Sequence, residues 1–485
     1  MRQVTLEGFV RRRFEGLKVE SLFERYETRQ AHPDASRAIA DFMEGVTMMN
    51  QVRQYAASLT DQDLQFSDLR FNGRVFFSAD HIREVYESLP SAMHPADRMV
   101  RLKNKLIREL QHRVRIEAKS DWVAKELDDL DTQQLHRLYG KKTVDDFADE
   151  DAQYAYLSRR WAKRRLRIIA DAIYNNYFLD FYNQYERFLR QVTLPKTINV
   201  REWADMIAAY QDEIEFHRLE LMHAAPLMYL RDLITGSGQN RSFQYVFIDE
   251  MQDYSLAMMV YLRHAFPQAR FTVLGDSEQA LFKPLQLPET MLKELSGVLD
   301  AKHPNLIALR RSYRSTKEIT DFAKALLPDG DQIISFTRHG AKPRLLVRYS
   351  AASARQALVD EVNKLHQDNE TVAILTKNRQ QAQDVYQILH RQKLADLHLL
   401  SEEDSALPTG ILVLPIYLAK GLEFDAVLAY AVSADNLKNT DAVGMVYTMA
   451  SRAMHQLTLL SNGPVSPVLN AKACQNLIIE HEIVQ

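Results

Sequence analysis

A single cysteine, Cys474, stands in the 485 residues. One thiol forms no internal disulfide, which fits a reducing cytosol. Glycine and proline are scarce, at 15 each. So few helix breakers favour a helix-rich protein. No apolar run approaches the roughly 18 residues of a membrane-spanning helix. The opening MRQVTLEGFVRRRF has no apolar stretch of the kind a secretory leader needs. An excess of one charge is missing too. The 61 Lys and Arg nearly balance the 64 Asp and Glu, for a net charge of -3. Global attraction to nucleic acid is thereby excluded, and any basic surface is local. What remains is a chain with 46% hydrophobic residues and room for roughly three domains.

Two textures follow. Residues from about 20 to 240 are charged and helical in pattern. From about 243 onward, short apolar runs end in polar turns, as buried strands of a parallel sheet do. The runs are Tyr245–Ile248, Phe271–Leu274, Leu345–Arg348, Val372–Leu375, Ile411–Leu414, Ala426–Tyr430 and Leu457–Leu460. Helical stretches such as Thr316–Leu327 and Ala354–Gln367 lie between most of them. This alternation predicts an α/β fold with a doubly wound parallel sheet. The pattern breaks around Leu295–Pro304, where a domain boundary is expected.

Within the helical part, Arg159, Arg160, Lys163, Arg164, Arg165 and Arg167 crowd into nine positions. They are open to three readings: a solvated helix face, a phosphate contact, or a dock for an acidic protein. Tyr174, Tyr177, Phe178, Phe181, Tyr182, Tyr185 and Phe188 follow at helical spacing. Such a seam on one helix is more often core than a stacking platform for bases.

The chemistry lies in the second half. YVFIDEMQDYS, residues 245–255, is a strand ending in Asp249–Glu250. Carboxylates at the C-terminal end of a parallel strand stand where ligands bind. Asp249 suits magnesium, and Glu250 suits a water that attacks a phosphate. Gln252 and Asp253 extend the polar rim. FTVLGDSEQALF, residues 271–282, ends another strand in a turn made possible by Gly275. Asp276 and Gln279 are expected on the same edge, with Phe282 either stacking on a base or packing beneath the turn. Arg310, Arg311 and Arg314 precede a helix expected to be capped by Ser315 or Thr316 with Glu318. Lys420, Gly421 and Glu423 occupy a turn between strands, and Arg452 ends a short helix before the last run.

In this order IDEMQD, GDSEQALF, YRS, AKGLEFD and ASRA resemble motifs II to VI of UvrD/Rep-type superfamily 1 helicases. VAILTKNRQ, residues 372–380, is similar to the strand ahead of motif V, and TLEGF, residues 5–9, to a short element on the nucleic-acid side. The resemblance implies two RecA-like parallel-sheet domains, the first incomplete and carrying a large all-helical insertion. The expected division is 1–20 and 201–300 for the first domain, 21–200 for the insertion and 301–485 for the second. It implies ATP and magnesium as ligands. Asp249 would be the metal residue, Glu250 the water residue, Gln279 the γ-phosphate sensor, and Arg314 and Arg452 the phosphate-contacting arginines. Glu423 would meet the nucleotide sugar, and Lys420–Gly421 would form the motif V turn. EGFVRRRF, the aromatic stretch and HAAPLMYLRDLI resemble HelD-like proteins. That likeness implies bacterial RNA polymerase as partner, and the helicase resemblance implies single-stranded DNA or a duplex junction. Arg159, Arg160, Lys163, Arg164 and Phe282 are the candidate contacts read from the residues themselves, and the cytoplasm is the expected compartment.

A phosphate-binding loop of the form Gly-x-x-x-x-Gly-Lys-Ser/Thr is absent. Tyr139–Thr143, YGKKT, lacks the upstream glycine and strand. The resemblance places that loop ahead of residue 1, so truncation, a separate chain supplying the loop, or a motor that no longer hydrolyses ATP are the open expectations. Without the loop, this chain alone is expected to bind ATP weakly and turn it over negligibly.

Overall fold

The computed structural model describes residues 4–14, 16–31, 37–93, 95–281, 287–402, 404, 407–437, 442–470, 476–478 and 480–484. The chain forms two compact units. One comprises residues 1–19, 38–243 and 260–268, the other 20–37, 244–259 and 269–485. Among the described residues no helix is long and apolar enough to cross a membrane.

The first unit is mostly helical. Its longest helix, α1 (Pro95–Glu117), buries Met99, Leu102, Leu106, Leu110 and Val114, the three-to-four spacing of one helical face. The basic run lies on α2 (Glu150–Arg165), apart from Arg167, which starts the next helix; the first turn of α2 is acidic and its last turn basic, as the helix dipole favours. A hairpin, Leu69–Phe71 with Arg74–Phe77, interrupts the helices. Asn72 and Gly73 take left-handed φ at its turn, the conformation that Asn-Gly supplies. The aromatic stretch is not one helix. Helix Arg167–Tyr174 stops, Asn176 turns left-handed at φ 61, and helix Phe181–Leu189 begins anew. The break separates fates that the helical spacing had joined. Phe178, Tyr185 and Phe188 are core, whereas Tyr174 and Tyr177 are 62% and 53% exposed.

The second unit holds a two-stranded parallel sheet, β1 (Tyr245–Ile248) and β2 (Arg270–Val273). It also holds a seven-stranded sheet built from β3 (Arg344–Arg348), β4 (Thr371–Thr376), β5 (Leu397–Leu399), β6 (Gly410–Pro415), β7 (Phe424–Tyr430), β8 (Ala453–Ser461) and β9 (Glu480–Val484). The order is β5-β6-β4-β7-β8-β3-β9, and every pairing is parallel. Successive side chains of a strand point to opposite faces. Val372, Ile374, Ile411, Val413, Ala426 and Leu428 accordingly join one core with Leu358, Val362, Val385 and Leu389 of helices Ala351–Asp368 and Arg379–Arg391. Ala373, Leu375, Leu412, Leu414, Val427 and Ala429 join the other. That core is closed by Ile319 and Phe322 of α3 (Lys317–Lys324) and by Met445, Val446 and Met449 of α4 (Ala442–Ser451). Apolar residues at every position, rather than every second one, are what a sheet covered on both faces demands. The expected α/β, doubly wound architecture is the one observed.

Candidate functional site

Because β1 and β2 run parallel, with Tyr245 opposite Arg270 and Ile248 opposite Val273, their C-terminal ends leave the sheet on the same edge. Asp249–Asp253 and Leu274–Gln279 are thus neighbours. The Leu274 amide donates to the Ile248 carbonyl at 2.7 Å, and the Met251 amide to the Leu274 carbonyl at 3.0 Å. Gly275 makes that approach possible. A Cβ there would stand 2.5 Å from Gln252 Oε1 and 2.6 Å from Met251 Cγ.

Glu250 has left-handed backbone, φ 51 and ψ 43, ahead of the one-turn helix Met251–Asp253. For a residue with a Cβ this costs about 1–2 kcal/mol, and such outliers gather at functional sites. The Glu250 amide donates to Asp249 Oδ1 at 2.9 Å. A chain of hydrogen bonds continues from the Glu250 carboxylate, which accepts from Gln252 Nε2 at 2.6 Å. Gln252 Oε1 accepts from the Asp276 amide at 3.2 Å, and Asp276 Oδ2 accepts from Gln279 Nε2 at 2.6 Å. Gln279 Oε1 then accepts from Arg452 Nη2. Arg452 also donates from Nη1 to the Leu422 carbonyl at 3.1 Å. Nearby, Arg314 Nε pairs with Glu423 Oε2 at 2.9 Å, and the Lys420 ammonium pairs with Asp253.

Burial governs the electrostatics. Arg452, 2% exposed, has its pKa lowered to about 10 by desolvation, with the Arg314 charge adding to the drop. Desolvation raises the Asp276 carboxyl, and the Glu250 charge works the same way, while hydrogen bonds from the Glu278 amide and Gln279 oppose it. The Glu278 carboxyl is pushed up to about 7, chiefly by burial. A cavity of about 1130 Å³ opens here, lined by Asp276, Gln279, Leu295, Arg314 and Tyr447 among others.

The structure thus brings Glu250, Gln279 and Arg452 into one hydrogen-bonded chain, with Asp249 and Arg314 beside it. Arg310 and Arg311 are exposed. Phe282 lies outside the described residues, and Arg159, Arg160, Lys163 and Arg164 belong to the other unit. The expected capping arrangement is corrected. Thr316 is the N-cap but makes no side-chain cap bond, and Ser315 Oγ donates to the Ala453 carbonyl at 2.6 Å. Glu318 turns to another loop, accepting from the Gly340 amide at 2.8 Å. Two residues carry more than the sequence suggested. Gln252, read as rim, is 2% exposed and joins the two turns. Tyr313, quoted in the YRS motif but given no role, lines the cavity beside Arg314.

Among the described residues no group of three or more His, Cys, Asp or Glu side chains is arranged to hold a metal. Asp249 nevertheless suits magnesium. It is an exposed carboxylate with one oxygen committed to the Glu250 amide, and this cation typically takes one or two carboxylates plus substrate phosphates.

Residues 410–460 match the UvrD-like helicase C-terminal domain family. The chain carries a domain of that kind. The matched stretch runs from β6 to β8 and contains Lys420, Gly421, Glu423 and Arg452. Among solved structures, the C-terminal domain of a possible DNA helicase from Lactobacillus plantarum WCFS1 is similar at 33% identity, over 34% of this chain and 97% of that one, with a TM-score of 0.31. The search of curated proteins returned no match. The UvrD-like segment supplies the arginine end of the hydrogen-bonded chain.

Proposed function

We propose that this chain is the C-terminal part of an ATP-dependent superfamily 1 helicase-type motor that acts on DNA, or that remodels and recycles RNA polymerase in the HelD-like manner. The observation supporting this reading is the continuous bonding from Glu250 through Gln252, Asp276 and Gln279 to Arg452. It joins a carboxylate able to take a proton from water to cations able to neutralise a phosphoryl group. In this reading Glu250 orients the water, and Gln279 senses the terminal phosphate through the contact it makes with Arg452. Arg314 and Arg452 offset charge developing on the transferred group. Magnesium, held by Asp249 when bound with the nucleotide, supplies screening of the phosphate charge. Glu423 and the Lys420–Gly421 turn complete the nucleotide side. The domain division into 1–20 and 201–300, 21–200, and 301–485 belongs to the same proposal.

The 485 residues hold no phosphate-binding loop sequence; in this reading the loop belongs to the rest of the motor, whether on the same or a separate chain, or the motor no longer hydrolyses ATP, and these residues alone turn ATP over negligibly. A second reading, a non-hydrolysing docking module for RNA polymerase or nucleic acid, is supported by α2. There Arg159, Arg160, Lys163 and Arg164 are exposed and pair with no carboxylate among the described residues.

The test is magnesium-dependent ATP hydrolysis by the purified chain, alone and with single-stranded DNA or RNA polymerase. Little turnover is expected from the chain alone. Any turnover that a partner induces should vanish in Glu250→Gln with nucleotide binding retained. Turnover that survives Glu250→Gln removes Glu250 from the role given to it.

A further inference from the structure

Arg314 and Arg452 carry like charges close enough that the first lowers the pKa of the second. Left to themselves they would move apart. The backbone holding them is stitched together instead. Ser315 Oγ donates to the Ala453 carbonyl at 2.6 Å, and the Thr316 amide donates to the Met454 carbonyl at 3.1 Å. Across this seam lies Arg338. Its Nη2 donates to the carbonyl of Arg314 and, at 3.4 Å, to that of Met454.

Arg338 is itself fixed on both sides. Its carbonyl accepts from the Lys317 amide at 2.7 Å. Two residues on, the Gly340 amide donates to Glu318 at 2.8 Å, and a Cβ at Gly340 would stand 2.6 Å from Thr316 Cγ2. No carboxylate among the described residues pairs with the Arg338 guanidinium, and its Nε is buried without a partner. An unpartnered buried donor is unfavourable. What the guanidinium secures is the main chain of Arg314 and the main chain two residues beyond Arg452.

We propose that Arg338 is a positioning residue that locks Arg314 and Arg452 into one frame, so that both converge on the terminal phosphate of a nucleoside triphosphate. The inference rests on the nucleotide reading given above. A group that holds phosphate ligands in place affects triphosphate recognition far more than diphosphate recognition, because the ligands it holds meet the terminal phosphate.

The experiment titrates the full chain with magnesium and either a fluorescent non-hydrolysable ATP analogue or the matching ADP analogue, up to millimolar concentration. Its readout is the ratio of the two affinities. Arg338→Met should lower the triphosphate preference on the order of tenfold, the low end of what is lost when a residue that orients a metal ligand is removed. Diphosphate affinity should not change. Arg338→Lys, which keeps a donor, should restore part of the preference. Ser315→Ala, which removes another stitch, should lower it as well and carries the test if Arg338→Met does not fold. Arg452→Ala is the control. If it lowers the preference while all three frame variants keep the wild-type ratio, the inference is overturned and the nucleotide reading stands. If the wild-type chain prefers the triphosphate and Arg452→Ala leaves that preference unchanged, the nucleotide reading fails and the inference falls with it. A melting temperature that drops with an unchanged ratio marks Arg338 as merely structural and also overturns it.

Discussion

Glu278 sits one residue before Gln279, and burial pushes its carboxyl up to about 7, with the charges of Asp329 and Asp276 adding to the rise. A carboxyl raised above its unfolded value of 4.5 favours the protonated form in the fold. Between those two values the folded protein binds more protons than the unfolded chain. Stability therefore falls as pH rises through the window and levels off above it. The neighbouring Asp276 carboxyl, also raised by burial, acts in the same direction. Buried His223 and His264, whose pKa values desolvation lowers, act in the opposite direction, so the test is comparative: going from about pH 5.5 to about pH 7.5 should shift the urea midpoint of Glu278→Gln upward relative to the shift in the wild type. An identical shift in the two proteins would show that Glu278 titrates as it does in the unfolded chain. The strain at Glu250 belongs to the same scale. A left-handed glutamate survives there because its amide, its carboxylate and the following turn are each tied down.

At the scale of elements, two glycines do different work. Gly275 has no positive φ, but a side chain there collides with Gln252 and Met251. Gly421 has open space around its Cβ position and a left-handed φ of 74. Gly275→Ala should cost about 1–3 kcal/mol, the usual result of overpacking, and should break the Gln252–Asp276 bond. Gly421→Ala should cost about 1–2 kcal/mol from backbone alone. Asparagine separates the causes, because it tolerates left-handed backbone but is larger than alanine. Urea unfolding should therefore find Gly421→Asn milder than Gly421→Ala, and Gly275→Asn worse than Gly275→Ala. The same contrast between local pattern and packing explains which elements were legible. All seven strands read from apolar runs are present, five of them because strands buried in the large sheet need side chains that suit burial; β1 and β2, expected to be buried as well, are largely exposed, Tyr245 and Phe247 among them. Within the large sheet the two strands that were missed, Leu397–Leu399 and Glu480–Val484, are its two edges; the short strands elsewhere, such as the hairpin Leu69–Phe71 with Arg74–Phe77, were not read either. Edge strands carry polar residues such as His398, Glu480 and Glu482, which blur the signal. Helical spacing joined Tyr174 to Phe188 across a break that rests on one left-handed Asn176. The carboxylate and arginine members of the site were visible as motifs. Gln252 as their bridge was not, since burial of an amide side chain leaves no periodic trace. Glu318 was misassigned because its partner, Gly340, lies 22 residues along the chain.

At the scale of the molecule, a net charge of -3 means that binding to a polyanion comes from a local surface. On α2 the cations Arg159, Arg160, Lys163 and Arg164 are exposed, while Arg165 is committed to Glu126 at 2.9 Å. Arg160 and Lys142 both lie over the Tyr156 ring, at 5.4 Å and 5.1 Å, so the Gly140–Lys142 turn adds cations to the same face. If this face meets nucleic-acid phosphates, each contact releases counterions and steepens the dependence of affinity on salt. For a single strand the slope changes by about 0.7 per phosphate. Reversing Arg159, Arg160, Lys163 and Arg164 to glutamate should then weaken single-stranded DNA binding uniformly across sequences and flatten the salt slope by up to roughly 3. Fluorescence anisotropy over a range of salt concentrations reads both effects. A variant that keeps the wild-type slope but no longer retains RNA polymerase in a pull-down would assign the face to an acidic protein and favour the docking reading. A variant that keeps both activities would reduce α2 to a solvated helix whose charges follow its dipole.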